Sequence, residues 1–206
     1  MDIYGHGTHV AGIVGSQNET YKGIAPGAIL MNAKVLNDSG VGYNSWIING
    51  VDWCIANGAD ILTLSLGSSV NSTDGSDLLS SYLDATVEQG KIITVAAGNS
   101  GPSSSTIDCP GCAKKVITVG AVYEQNYGVL GWSGCTDTST SKNLITCFSS
   151  RGPTTDSRQK PDVVAPGAQI VSLSNNGVGT VTGSGTSMAT PMVAGMAAYC
   201  FRQGPH

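Results

Sequence analysis

The chain has 206 residues, 40% of them hydrophobic and 28 of them glycine, which suits one globular domain, residues 1–206, rich in tight turns. Ten basic against fourteen acidic residues give a net charge of −4, and no basic run or basic patch with interleaved aromatics is present, which argues against a nucleic-acid partner. No apolar stretch reaches the roughly 20 residues that a bilayer span needs, and no signal peptide can be read before the histidine-bearing stretch that follows Met1 almost at once.

In chain order, residues 6–15 combine small Gly7, Ala11 and Gly12 with Val10, Ile13 and Val14, a pattern that predicts a buried, small-faced helix with His6 at its start. Ala28 to Leu36 reads as a strand. Ser45 to Asn57 has apolar residues at 47, 51, 54 and 55, a helical spacing, and Gly58 stops it. Ile61 to Leu66 is a strand, Leu78 to Gln89 a helix stopped by Gly90, and Ile92 to Ala97 and Val116 to Val122 are further strands. Gly128 to Thr155, rich in Ser, Thr and Gly, reads as a surface excursion. The run Ala189 to Ala198 predicts a buried helix with room for close packing at Gly195. The alternation of strand and helix implies an α/β fold: a mostly parallel sheet in a three-layer arrangement, helices on both faces, with ligands bound beyond the carboxyl ends of the strands.

Six cysteines leave the compartment open. Cys109-Pro-Gly-Cys112 is compatible with a redox pair, half a zinc site, a local disulfide or two structural thiols, but no second such pair or suitably spaced histidine follows it. His6 and His9 stand at i and i+3 without the intervening Glu of a zinc protease helix, so zinc is discounted. Asn18, Asn37 and Asn71 each begin an Asn-x-Ser/Thr sequon, which matters only in secretion from a eukaryotic cell.

Three stretches carry chemistry. Gly183 to Pro191 places Ser187 between a glycine-rich approach and a helix, where a hydroxyl can attack while the helix N-terminus favours developing negative charge. By itself a serine there is ordinarily a cap. The others are Gly5 to Gly12, around His6, and Ala96 to Gly101, around Asn99. In this order and with these intervals, the three stretches resemble the subtilisin-like serine proteases, the subtilase family, over nearly the whole chain. The resemblance implies that Ser187 is the nucleophile, His6 the general base, His9 structural, and Asn99 an oxyanion donor together with the Ser187 backbone N–H.

It further implies that a polypeptide substrate pairs in extended form with Ser65, Leu66 and Gly67 on one side and Ala96, Ala97 and Gly98 on the other. The primary specificity pocket lies between them, with Asp108 at its base, where a carboxylate would favour Arg or Lys before the scissile bond. The family's third catalytic group is an aspartate on a strand upstream of the histidine, and Asp2 is too close to His6 to be that residue; it is expected at the rim of the cleft. The sequence therefore reads as a partial catalytic domain that also stops short of the family's closing helices, inactive alone and exposing sheet surface prone to aggregation. No cofactor is expected; for calcium, common in the family after the histidine helix, the stretch Gly15 to Gly23 is short, and Asn18 and Glu19 are oxygen ligands in principle where several converging oxygens are needed. Secretion and a monomeric state go with the resemblance. A catalytically dead, peptide-binding relative is the alternative, against which the intact His6, Asn99 and Ser187 speak. An α/β-hydrolase is a poor match, because Ala189 stands where that fold needs glycine and the histidine precedes the serine.

Overall fold

The structure, a computed structural model, describes residues 2–132 and 134–203. Four parallel strands form the central sheet in the order β1 (Ile61–Leu64), β2 (Ile92–Ala96), β3 (Ile117–Val122) and, after an excursion, Val163–Pro166. Register pairs Ile61 with Ile92, Thr94 with Ile117 and Val119 with Val163. The middle strands are buried along almost their full length, as expected where both faces are covered.

The covering helices divide between the two faces. On one face, Asn44–Ala56 and Leu78–Glu88 press Ile47, Val51, Leu79 and Leu83 against Leu62, Leu64, Ile93 and Val95. Gly58 and Gly90 follow these helices with φ of 89° and 85°, the left-handed stop that their positions in the sequence imply. On the other face lie the helix His6–Gly15 and the long helix Thr186–Gln203, whose Ala189 packs on Val119, Ala121 and Ala165. Gly195 permits the expected close approach: a Cβ there would meet Ile24 Cβ at 2.7 Å. In chain order the helices are α1 (His6–Gly15), α2 (Asn44–Ala56), α3 (Leu78–Glu88) and α4 (Thr186–Gln203). The remaining strands are β4 (Leu130–Trp132) and β5 (Cys135–Asp137), an antiparallel hairpin; β6 (Val163–Pro166), in the sheet; and β7 (Ile170–Leu173) with β8 (Thr180–Gly183), a second hairpin. The three-layer α/β architecture is the one the alternation of elements implies.

Two expectations are corrected. Ala28 to Leu36 has no regular secondary structure and joins no strand ladder among the described residues: Ala33 and Val35 reach the core, whereas Ile29 is 92% exposed. A strand exists only with a partner, and here an open cleft of ≈ 1730 Å³ is lined by both this segment and β1, the edge strand of the sheet. Gly128 to Thr155, expected as loose surface, holds the β4–β5 hairpin and the Cys135–Cys147 disulfide, and its residues 146–150 are buried. The Thr146 N–H donates to Ala121 O at 3.0 Å and the Gly101 N–H to Phe148 O at 2.9 Å, which tie that end to the core.

Candidate active site

Ser187 is the second residue of α4 and is half-buried. Pro191, four residues on, has no N–H to return to the Ser187 carbonyl, so that oxygen is left without its helical donor. Ser65, just past the carboxyl end of β1, supplies one: its Oγ donates to Ser187 O at 2.8 Å. The Ser187 Oγ in turn donates to Ser65 O at 3.4 Å. Ser187 is thus seated on Ser65, in the first of the two segments that the family resemblance implies for substrate pairing.

Asn99 follows β2 after the Ala96-Ala97-Gly98 run and is exposed. Its Oδ1 accepts from the Thr186 N–H at 2.9 Å and from Thr186 Oγ1 at 3.1 Å. Because a backbone N–H can only donate, this contact fixes the orientation of the amide and leaves the Nδ2 donors for the cleft. The Ser187 N–H, at the helix start, has no acceptor among the described residues. An amide donor and a helix-terminal N–H lining one cleft with the serine can serve an oxyanion. Thr186, which the sequence reading did not single out, holds the pieces together: the Gly98 N–H donates to its Oγ1 at 3.3 Å, and the same oxygen lies 3.2 Å from Gly98 O.

His6 opens α1, half-buried, and lines the cleft that also contains Ser187 and Asn99. Its ring makes no hydrogen bond among the described residues. Burial, followed by repulsion from His9, holds its pKa below the ordinary imidazole value, with Asp2 acting weakly in the opposite sense, so the ring is neutral at pH 7 and able to accept a proton. His9 is structural, as expected: it is buried and its Nε2 lies 3.2 Å from Ile170 O and 3.0 Å from Val181 O.

Asp2 lines the cleft, as the sequence reading expects, but its oxygens serve α1. Oδ1 accepts from the Gly5 N–H at 2.9 Å, and Oδ2 from the Thr8 N–H at 2.7 Å and Thr8 Oγ1 at 2.8 Å. Burial raises its pKa, but these three bonds together outweigh it and bring the net value down. Asp2 is therefore a positioning residue for the helix that carries His6; the Asp-x-x-Gly-His-Gly-Thr spacing of an acceptor ahead of a helix start was the available signal.

The structure brings Asp108 to the two substrate segments. A Cβ built on Gly98, whose φ is 105°, would lie 2.4 Å from Asp108 Oδ2, and one on Gly67 would lie 3.4 Å from Asp108 Cβ. Only glycine at 98 leaves space over the carboxylate. The Asp108 N–H donates to Ala97 O at 2.9 Å, and its neighbour Cys109 exchanges backbone bonds with Ser68 at 2.9 and 3.1 Å, so this wall is tied to both segments. Ser69 Oγ donates to Asp108 Oδ1 at 2.9 Å. Burial raises the Asp108 pKa, and the Ser69 bond opposes part of that rise. Cys109 and Cys112 form a disulfide, the local pairing among the alternatives left open by the sequence. With Asp77 they are the one compact set of three potential metal donors among the described residues, but both sulfurs are spent on each other. Asn18 Oδ1 is engaged by the Thr20 and Tyr21 N–H groups in a local turn.

Comparison with known proteins shows the family. The model of the subtilase family matches residues 1–205. Serine protease AprX of Bacillus subtilis (strain 168) is 40% identical over 230 residues, covering 99% of this chain and 50% of that protein. Subtilisin E of the same organism is 38% identical over 209 residues, covering 100% of this chain and 48% of its own length. Among solved structures, sphericase superposes with a TM-score of 0.78 at 35% identity, covering 98% of this chain and 64% of that one. The chain spans about half the length of these curated relatives.

Proposed function

The chain belongs to the subtilase family, and from that membership we propose that it hydrolyses peptide bonds as a serine endopeptidase, with Ser187 as nucleophile and His6 as general base. The observation that carries the proposal is the donor pair at one cleft: Asn99, whose Oδ1 is taken by the Thr186 N–H so that Nδ2 is left to donate, and the Ser187 N–H at the start of α4. Ser187 Oγ leaves its resting contact with Ser65 O, gives its proton to the neutral His6 ring and attacks the scissile carbonyl carbon. The oxygen that becomes negative is met by the Ser187 N–H at the start of α4 and by Asn99 Nδ2 from the segment after β2. His6 then returns the proton to the departing amine, and water releases the acyl group by the same route. This chemistry needs no cofactor.

A polypeptide lies extended between Ser65–Gly67 and Ala96–Gly98, and Asp108 below Gly98 selects Arg or Lys before the scissile bond by charge pairing. A third group, by family resemblance an aspartate on a strand, would orient His6; the edge strand β1 and the cleft beside it support a strand seated there. Without that carboxylate the imidazole tautomer is not fixed, and related proteases lose about 10⁴-fold in turnover. These residues alone are therefore proposed to be nearly inactive. Two disulfides support secretion into an oxidising compartment. A peptide-binding protein without turnover is the second reading, favoured by the absence of a hydrogen bond to His6 among the described residues.

Hydrolysis of peptide amides by the chain extended upstream through the aspartate strand, and by its Asn99→Ala variant, separates the two. The expected loss in kcat is about 10²- to 10³-fold with KM little changed, a magnitude taken from subtilisin itself. Equal turnover by Asn99→Ala would remove Asn99 from the oxyanion site, and turnover by a folded Ser187→Ala would remove the nucleophile.

A further inference from the structure

Beside Asn99 the surface dips into a second pocket, of ≈ 180 Å³, lined by Asn99, Trp132, Phe148, Ser184 and Gly185. None of the five carries a charge. The Trp132 ring meets Phe148 edge-on, with centroids 4.7 Å apart and planes at 76°. Its indole N–H donates to the Tyr123 hydroxyl at 3.3 Å, so the polar atom of the ring is already used and what the pocket receives is carbon surface. The support beneath is continuous. Tyr123 Oη donates to Asp137 Oδ2 at 2.5 Å, the same oxygen accepts from the Cys147 N–H at 2.7 Å, and the Cys135–Cys147 disulfide closes the β4–β5 hairpin onto the segment that carries Phe148. A ring held by packing, a hydrogen bond and a covalent closure is pre-organised to receive a side chain.

Asn99 is common to this pocket and to the main cleft, but the pocket includes none of Ser65–Gly67, Ala96–Gly98 or Asp108. Those segments take the acyl part of an extended peptide, so a pocket that meets the main cleft only at Asn99, and is otherwise walled by Trp132, Phe148 and the Ser184–Gly185 approach to Ser187, faces the leaving amine. We infer that Trp132 is a specificity-determining residue that seats an apolar, preferably aromatic, side chain of the residue following the scissile bond. The inference rests on Ser187 being the nucleophile. A carboxylate or ammonium there would lose water against two rings with no counter-charge, whereas an aromatic ring gains edge-to-face contact.

The test uses leaving-group-side dipeptide amides, Phe-Ala-NH₂, Gly-Ala-NH₂ and Asp-Ala-NH₂, titrated into the ¹⁵N-labelled protein while the indole N–H resonances of Trp46, Trp53 and Trp132 are followed. The expected result is a shift confined to Trp132, with Phe-Ala-NH₂ binding about 2- to 10-fold more tightly than the glycine amide and the aspartate amide weakest. Trp132→Ala should erase the Phe-over-Gly preference with the Trp46 and Trp53 resonances unmoved, and Trp132→Phe should keep it. Equal binding of the phenylalanine and glycine amides, a shift on Trp46 or Trp53 with Trp132 silent, or loss of the preference in Trp132→Phe would overturn the inference. Binding needs no turnover: a protein that seats Phe-Ala-NH₂ at Trp132 yet hydrolyses nothing keeps the pocket and loses the nucleophile reading.

Discussion

Ser65 and Ser187 hold each other reciprocally, the hydroxyl of each donating to the carbonyl of the other at 2.8 and 3.4 Å, and Pro191 is the reason that the Ser187 carbonyl is available. The contact joins the edge strand of the sheet to the start of α4. Ser65→Ala should cost about 1–3 kcal/mol, because it strands a part-buried carbonyl. In a Pro191→Ala background, where residue 191 can again donate to the Ser187 oxygen, the same change should cost less. A urea-denaturation double-mutant cycle reads the difference, and equal costs in the two backgrounds would show that Pro191 does not create the vacancy.

His6 should titrate below the ordinary imidazole value of about 6.5. Its pKa is depressed in the fold, so the unfolded chain binds the proton more readily; stability falls as pH drops below about 6.5 and levels off once the folded pKa has been passed. Proton chemical shifts of the His6 ring, compared with those in the urea-unfolded chain, test this directly. A folded value at or above the unfolded one would mean that a carboxylate already holds the ring.

Asp108 makes selectivity dependent on acid. Its pKa lies above the ordinary carboxylate range, so preference for Arg over Leu or Phe before the scissile bond should be complete above that raised value and decline as pH falls through it. Asp108→Asn should lose the preference at every pH while still cleaving the apolar peptides. Ratios of kcat/KM for otherwise identical peptides, measured on the chain extended upstream through the aspartate strand, report it, and a preference for the apolar ones would dismiss the carboxylate from the pocket.

The sheet was legible where burial on both faces writes a continuous apolar run, as in Ile92–Ala96 and Ile117–Val122, and the helices where a glycine marks their end. Ala28 to Leu36 carries similar residues and failed as a strand, because pairing depends on a neighbouring edge that local sequence does not record. His6, Asn99 and Ser187 stood out through family motifs, and the structure gathers all three around one cleft. Thr186 lay inside a motif yet its work on Gly98 and Asn99 spans nearly ninety positions, which no local pattern reports. Trp132 was hidden for a different reason: its hairpin sits in a Ser, Thr and Gly stretch without periodicity, and a disulfide and a hydrogen-bond chain, not an apolar pattern, fix it.

The most direct measurement is the site of covalent labelling by a fluorophosphonate, read by mass spectrometry of the digested protein. Attack on phosphorus needs an activated hydroxyl and donors for the phosphoryl oxygen, the same parts assigned to peptide hydrolysis. In the chain extended upstream through the aspartate strand, one adduct per chain on Ser187, absent from Ser187→Ala and slowed in Asn99→Ala, is the expected result. An adduct on another serine of the folded protein, or labelling of Ser187 at an unchanged rate in Asn99→Ala and in His6→Ala, would contradict the assignment of these three residues to one catalytic site.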